Sequence, residues 1–147
     1  PATPDAAAAP AGADLTLDIA EGPLRLSTVA AKVLYLDFWA SWCAPCRLSF
    51  AWMARMHDRY AGQGLAIVAV GLDRKTGDAE RFLQAQRPPF RIALDPEAGS
   101  ARAYAVAAMP SSVMMRGGTL ETILRHAGFR PSDEAGLEAA IVRALQA

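Results

Sequence analysis

The sequence predicts an α/β fold in which a mixed central sheet is flanked by helices and an N-terminal strand pair is added. Three observations lead there. Two apolar runs, Val33–Trp39 and residues 65–72, bracket a segment with helical periodicity, and a strand-helix-strand unit implies a parallel pair joined by a right-handed crossover. The glycines Gly117-Gly118 separate Ser111–Arg116 from residues 119–126; they supply the positive φ of a tight turn, which reads as a β-hairpin with antiparallel strands. The length of 147 residues suits one domain built on one core.

Taken in order, residues 1–13 hold seven Ala, three Pro and one Gly, and no apolar side chain larger than alanine. That is the composition of a flexible or extended lead-in, so the folded domain is expected over 14–147. Leu15, Leu17 and Ile19 alternate with Thr16 and Asp18, and Glu21-Gly22-Pro23 separates them from Leu24 and Leu26, which predicts a short strand pair. Val33–Trp39 is nearly all apolar, as in a strand covered on both faces, and only Asp37 interrupts it. Over 43–60, Leu48, Trp52 and Met56 mark one helical stripe, and Phe50, Met53, His57 and Tyr60 mark another. Two stripes predict a largely buried helix.

Gly62 and Gly64 end that helix, and 65–72 follows as a second buried strand. Ala79, Phe82 and Leu83 predict a helix over Thr76–Gln86, ahead of Pro88-Pro89. Arg91–Leu94 reads as a short strand closed by Asp95-Pro96, and 100–104 as a turn or two of helix. Beyond the hairpin, Ser132 stands where it could N-cap a last helix. Asp133 and Glu134 then occupy its first turn, with Leu137, Ala140, Ile141, Ala144 and Leu145 on one face.

Fifteen Lys and Arg balance fifteen Asp and Glu, so no long-range field draws the chain to phosphate backbones or anionic membranes. With no basic aromatic cluster and no phosphate-binding glycine pattern, nucleic acid is not expected as a partner. Stretches free of charged residues reach 13 residues, at 60–72 and 103–115, short of the roughly 18–20 that span a bilayer. The chain as given is expected to be soluble. Its first residue is Pro1 rather than Met, which suits a chain that has lost a signal or anchor segment.

Cys43 and Cys46 are the only cysteines. Two thiols cannot build a multi-bridge scaffold and are too few for a four-coordinate zinc site, so redox exchange leads; an inert buried pair or half a metal site stays open beside it. Cys43 falls where strand gives way to helix. There the unpaired backbone N–H groups and the helix dipole favour the thiolate, which makes Cys43 the candidate nucleophile. Cys46, one turn on, is the candidate resolving thiol. Pro45 suits a first helical turn, and Arg47 adds positive charge. Such exchange needs no organic cofactor and no metal. A Cu(I) site of Cys43, Cys46 and Met109 would suit the softness of thiolate and thioether and stands as an alternative. His57 lies 14 residues beyond Cys43, about 21 Å along a helix, and reads as structural. His126 belongs to no motif.

The segment Asp37-Phe38-Trp39-Ala40-Ser41-Trp42-Cys43-Ala44-Pro45-Cys46-Arg47 resembles the active-site segment of the thioredoxin superfamily. Met109-Pro110-Ser111-Ser112-Val113 resembles its second landmark, a cis-proline before a strand. The N-terminal strand pair is similar to that of the TlpA-like and ResA-like thiol:disulfide oxidoreductases, usually periplasmic or otherwise extracytoplasmic. The likeness runs from about Asp14 to the end of the chain. It implies a thioredoxin fold, Cys43 as attacking thiol, Cys46 as resolving thiol, Pro110 as a cis-proline facing them, and a Met109 main chain that pairs with an extended substrate. Trp42, with Ala44 and Pro45, would offer the partner an apolar contact.

Asp37 matches the buried acid of thioredoxin itself. Desolvation should raise its pKa and let it exchange a proton with Cys46; an Asp hydrogen-bonded at a strand end is the plainer alternative. Trp39 reads equally as core, and Trp52, Met53 and Met56 as packing. Ser49 and Ala51 depart from the glutamate and proline common in the family, so the helix should be less kinked. The implied function is dithiol exchange on protein disulfide substrates, run as a reductase in the periplasm by a monomer that a membrane-bound or soluble thiol donor recharges. A disulfide-donating oxidase of the same fold, or a module that binds a client or Cu(I) without turnover, are its rivals.

Overall fold

The computed structural model describes residues 11–147. Among them the elements follow as β1 (Thr16–Ile19), β2 (Gly22–Arg25), β3 (Val33–Trp39), α1 (Ala44–Tyr60), β4 (Leu65–Gly71), α2 (Thr76–Gln86), β5 (Arg91–Leu94), α3 (Gly99–Ala103), β6 (Ser111–Arg116), β7 (Thr122–Ala127) and α4 (Glu134–Gln146). The strands make one sheet in the order β2-β1-β5-β4-β3-β6-β7. β3, β4 and β5 run parallel, as the crossover argument requires, while β6 and β7 continue antiparallel from β3 and the β1–β2 pair closes the other edge against β5. This is the mixed, helix-flanked sheet with an added N-terminal pair, in the thioredoxin-like arrangement.

All seven residues of β3 are buried, because side chains alternate between faces that are both covered. Val33, Tyr35 and Trp39 pack with Phe50 and Met53 of α1, Phe82 of α2 and Ile141 of α4. Leu34, Leu36 and Phe38 pack on the opposite side with Leu17, Leu26, Ala101 and Tyr104. The same alternation turns Asp37 into the first of these layers, which also holds both cysteines. Among the described residues, no helix is long and apolar enough to cross a membrane.

Four local expectations are corrected. A flexible or extended lead-in is expected over 1–13; residues 1–10 lie outside the described residues, and 11–13 are tied down. Ala11 bridges Glu121, Gly12 N–H donates to the Leu120 carbonyl at 2.8 Å, and Tyr104 Oη donates to the Ala13 carbonyl at 2.6 Å. Backbone pairing does there what the missing apolar side chains could not. On α1, Leu48 is 51% exposed although Trp52 and Met56 are buried. Each step of four residues advances about 40° around a helix, so this stripe spirals inward and only its later members reach the core.

The hairpin turn is also longer than a glycine pair, since β7 begins at Thr122. Gly117 is needed for close approach instead: a Cβ there would lie 1.8 Å from the Ala31 carbonyl oxygen. The positive φ falls at Gly118 and at Leu120, which is buried. Finally, Ser132 does not cap α4. A 3-10 turn over Pro131–Asp133 precedes that helix, and the Asp133 carboxylate accepts the Arg130 N–H at 2.8 Å. Pro131 presets helical φ one residue early, so the Asp133 carboxylate closes the 3-10 turn, and α4 starts without a side-chain cap.

Candidate active site

The parallel strands set the site. Between the end of β3 and the start of α1, residues 40–43 must turn, and the neighbouring strand grips that turn. Leu72 N–H, just past β4, donates to the Trp39 carbonyl at 2.9 Å, and within the turn itself Cys43 N–H donates to the Ala40 carbonyl at 3.2 Å. Asp73, directly after β4 and 5% exposed, accepts both the N–H of Ser41, at 2.8 Å, and its hydroxyl. Cys43 thereby becomes the N-cap of α1, with Pro45 in the first turn. The two cysteines are joined in a disulfide with their Cα atoms 5.3 Å apart. Cys43 keeps 4% of its surface in solvent and Cys46 none. Behind them α1 runs unbroken for 17 residues, and Ser49 is buried with its hydroxyl donating to the Cys46 carbonyl at 3.0 Å.

The second landmark lies across the sheet. The Met109–Pro110 peptide is cis. Pro110 accepts the Gly128 N–H at 2.7 Å, and β6 starts beside it, with Ser111 opposite Phe38. One further step of that register brings Pro110 level with Trp39, where the turn that carries Cys43 begins. Met109 and Trp42 share a groove of about 200 Å³ with Leu72, Val106 and Ala107. Among the described residues, neither the N–H nor the carbonyl of Met109 makes a backbone hydrogen bond. Trp42 is 72% exposed, and Ala44 and Pro45 are also at the surface.

Asp37 is 2% exposed, and its Oδ2 has no hydrogen-bond partner among the described residues. Burial in an apolar layer drives its pKa well above the ordinary carboxyl value of 3.8. It lies within β3, two residues before the strand ends, so a strand-end hydrogen bond does not account for it. Opposite it on β6 stands Ser112, whose Oγ accepts the Tyr35 hydroxyl at 3.0 Å. Burial, then the nearby Asp37, push the Tyr35 pKa up.

Other residues take structural places. Trp39 is fully buried, stacked on Phe82 and edge-on to Phe50, and Trp52 packs between Tyr35 and Phe129. His57 sits near the far end of α1, and His126 Nε2 lies 3.2 Å from the Asp133 carboxylate. Among the described residues, no group of three or more His, Cys, Asp or Glu side chains is gathered as a metal site. Sequence reasoning passed over Asp73, Tyr35 and Ser112. For Asp73 there was a signal, an acid directly following a buried parallel strand. For the other two it lies only in the β3–β6 register.

Comparison with known proteins agrees with this geometry. A Chlorobium tepidum crystal structure, named as a thiol:disulfide interchange protein DsbE, is 43% identical, with a TM-score of 0.89 over 93% of this chain and 96% of its own. The thiol-disulfide oxidoreductase ResA of Bacillus subtilis is 29% identical over 92 residues, 63% of this chain and 51% of the relative. ResA of Geobacillus kaustophilus is 28% identical over 115 residues, 78% of this chain and 66% of the relative. The chain thus spans about half to two thirds of these ResA proteins. The AhpC/TSA family model matches residues 4–122, and together with these relatives it shows that the chain belongs to the AhpC/TSA family, as a TlpA/ResA-like protein with a thioredoxin-like fold.

Proposed function

We propose that this protein is a thiol:disulfide oxidoreductase that reduces protein disulfides in the periplasm. The observation that carries the reading is the Cys43–Cys46 disulfide at the N-terminus of α1, next to a groove lined by Trp42 and Met109. In the reduced protein the Cys43 thiolate attacks a client disulfide. A Cys43–client bond forms, and the other client sulfur leaves as a thiolate. Cys46 then gives its proton to Asp37 and attacks the Cys43 sulfur; the second client thiolate departs, and the disulfide seen here is formed. The client gains two electrons and the protein loses two.

The unpaired Met109 main chain and Pro110 would seat an extended client segment, while Trp42, Ala44 and Pro45 give it an apolar contact. The protein acts as a monomer, and a membrane-bound or soluble thiol donor returns it to the dithiol. The periplasmic setting follows the TlpA/ResA-like resemblance. It also accounts for the donor, since an oxidising compartment does not keep thiols reduced by itself.

Equilibration in defined thiol-disulfide buffers tests the proposal. A reduction potential near roughly −270 mV supports a reductant, whereas one near roughly −120 mV makes the pair a disulfide donor and overturns the direction. Absence of any reversible couple overturns the enzyme itself. A Cys46→Ser variant should accumulate a mixed disulfide with client protein, visible on non-reducing gels, and a Cys43→Ser variant should not.

A further inference from the structure

In the layer that also holds the disulfide, three polar side chains share a face that is otherwise apolar. Tyr35 and Asp37 are two residues apart on β3 and therefore share a face. Ser112 is the cross-strand partner of Asp37 on β6, and directly opposed residues share a face with β-carbons about 4.5–5.5 Å apart. The Tyr35 hydroxyl reaches Ser112 Oγ at 3.0 Å, so it arrives at the level of the Asp37–Ser112 pair. All three side chains are buried, at 3%, 2% and 7% exposure.

Counting donors and acceptors isolates what is unused. Tyr35 spends its one proton on Ser112. Ser112 accepts it and keeps its own hydroxyl proton, which makes no hydrogen bond among the described residues, while the residue it faces across the strand pair is Asp37. Asp37 Oδ2 has no partner among the described residues. One spare donor thus faces one spare acceptor across one strand spacing.

A neutral carboxyl can tolerate that gap, but a carboxylate in the same place needs donors or an opposite charge. Among the described residues no cation is paired with Asp37. β4 presents Ala69 beside Asp37; α1 presents Cys43 and Cys46; α2 and α4 reach this layer with apolar side chains such as Phe82 and Ile141. On β7 the partner of Ser112 is His126, one strand further out and already against Asp133.

We propose that Tyr35 and Ser112 form a two-hydroxyl chain that turns to Asp37 when it ionises, making both positioning residues for proton transfer from Cys46. The inference rests on the reading of Asp37 as proton acceptor. When the Cys46 proton moves to Asp37, the carboxylate that received it becomes a neutral acid and the Ser112 hydroxyl is released. When Asp37 gives that proton up again, Ser112 swings back to donate to the carboxylate, with Tyr35 donating behind it.

The test follows the Asp37 carboxyl carbon by NMR against pH in the reduced full chain, alongside the pH profile of mixed-disulfide resolution. Ser112→Ala is expected to raise the Asp37 midpoint by about one pH unit, leaving about tenfold less carboxylate at a fixed pH below it. Resolution slows correspondingly. Tyr35→Phe, which keeps the ring in place, moves the midpoint less in the same direction, and Ser112→Thr, which restores a hydroxyl, keeps the wild-type value. An unshifted midpoint in Ser112→Ala, or a Thr variant that behaves like Ala, overturns the chain while leaving the role of Asp37 intact. If Asp37→Asn leaves the resolution profile unchanged, the proton-acceptor reading falls, and the kinetic role of the hydroxyls falls with it.

Discussion

A carboxyl without partners in an apolar layer opposes folding whenever it must be charged. For Asp37 the folded pKa lies above the ordinary 3.8 because of burial, so over that range the native state holds a proton that the unfolded chain has lost. The sign follows from linkage: stability falls as pH rises from about 3.8 toward the raised value, and is level beyond it. Asp37→Asn removes this cost. The variant should be more stable than wild type at pH 8, by on the order of 1–3 kcal/mol, and close to it at pH 3. Urea denaturation at the two pH values checks this; equal destabilisation at both would show that Asp37 is held in place by something other than its proton. Asp37 is an unpartnered acid among the described residues of an apolar layer, which makes it a functional-site candidate.

At the scale of elements, the turn between β3 and α1 is the part that matters, and the segment after β4 adds to the one hydrogen bond that the turn makes within itself. Asp73 takes two hydrogen bonds from Ser41. Asp73→Ala leaves those donors without their partner and should cost about 1–3 kcal/mol, while slowing alkylation or exchange at the reduced Cys43 because the helix N-terminus loses its fixed position. Asp73→Asn, which keeps one acceptor, should lose less. Normal exchange kinetics in Asp73→Ala would mean that the turn holds its shape without the clamp. The β6–β7 turn makes a sharper demand. Gly117→Ala would place a methyl group 1.8 Å from a backbone oxygen, and thermal unfolding should report a loss of about 1–3 kcal/mol from the forced backbone shift.

Across the whole molecule, α1 and its N-cap hold the Cys43–Cys46 disulfide, and the far end of the helix is tied to α4. Glu138 accepts the Tyr60 hydroxyl and an Arg59 guanidinium N–H, the latter at 2.9 Å. The Tyr60 bond first, then Arg59, hold the Glu138 pKa below its ordinary 4.5. A depressed acid contributes stability above its unfolded pKa and loses it as pH falls through the folded value. Glu138→Gln should therefore cost about 1 kcal/mol at pH 7 and almost nothing at pH 3, read as the difference in Tm between the proteins at each pH. Its pH dependence is opposite in sign to that of Asp37, so the two single variants should diverge in opposite directions as pH rises.

What the sequence determined by itself is what consecutive residues encode. Apolar runs and 3.6-residue spacing located β3, α1, β4, α2 and β5 closely, because each pattern is complete within its own segment. The position of Cys43 at a strand-to-helix junction was legible for the same reason. Only the tertiary structure decided which polar groups meet. The grip of Asp73 on Ser41, the row of Tyr35, Ser112 and Asp37, the docking of Ala11–Ala13 by backbone, and the close approach that requires Gly117 all join positions far apart in the chain. Such contacts depend on strand register, and a shift of one residue would send Asp37 and Ser112 to opposite faces of the sheet.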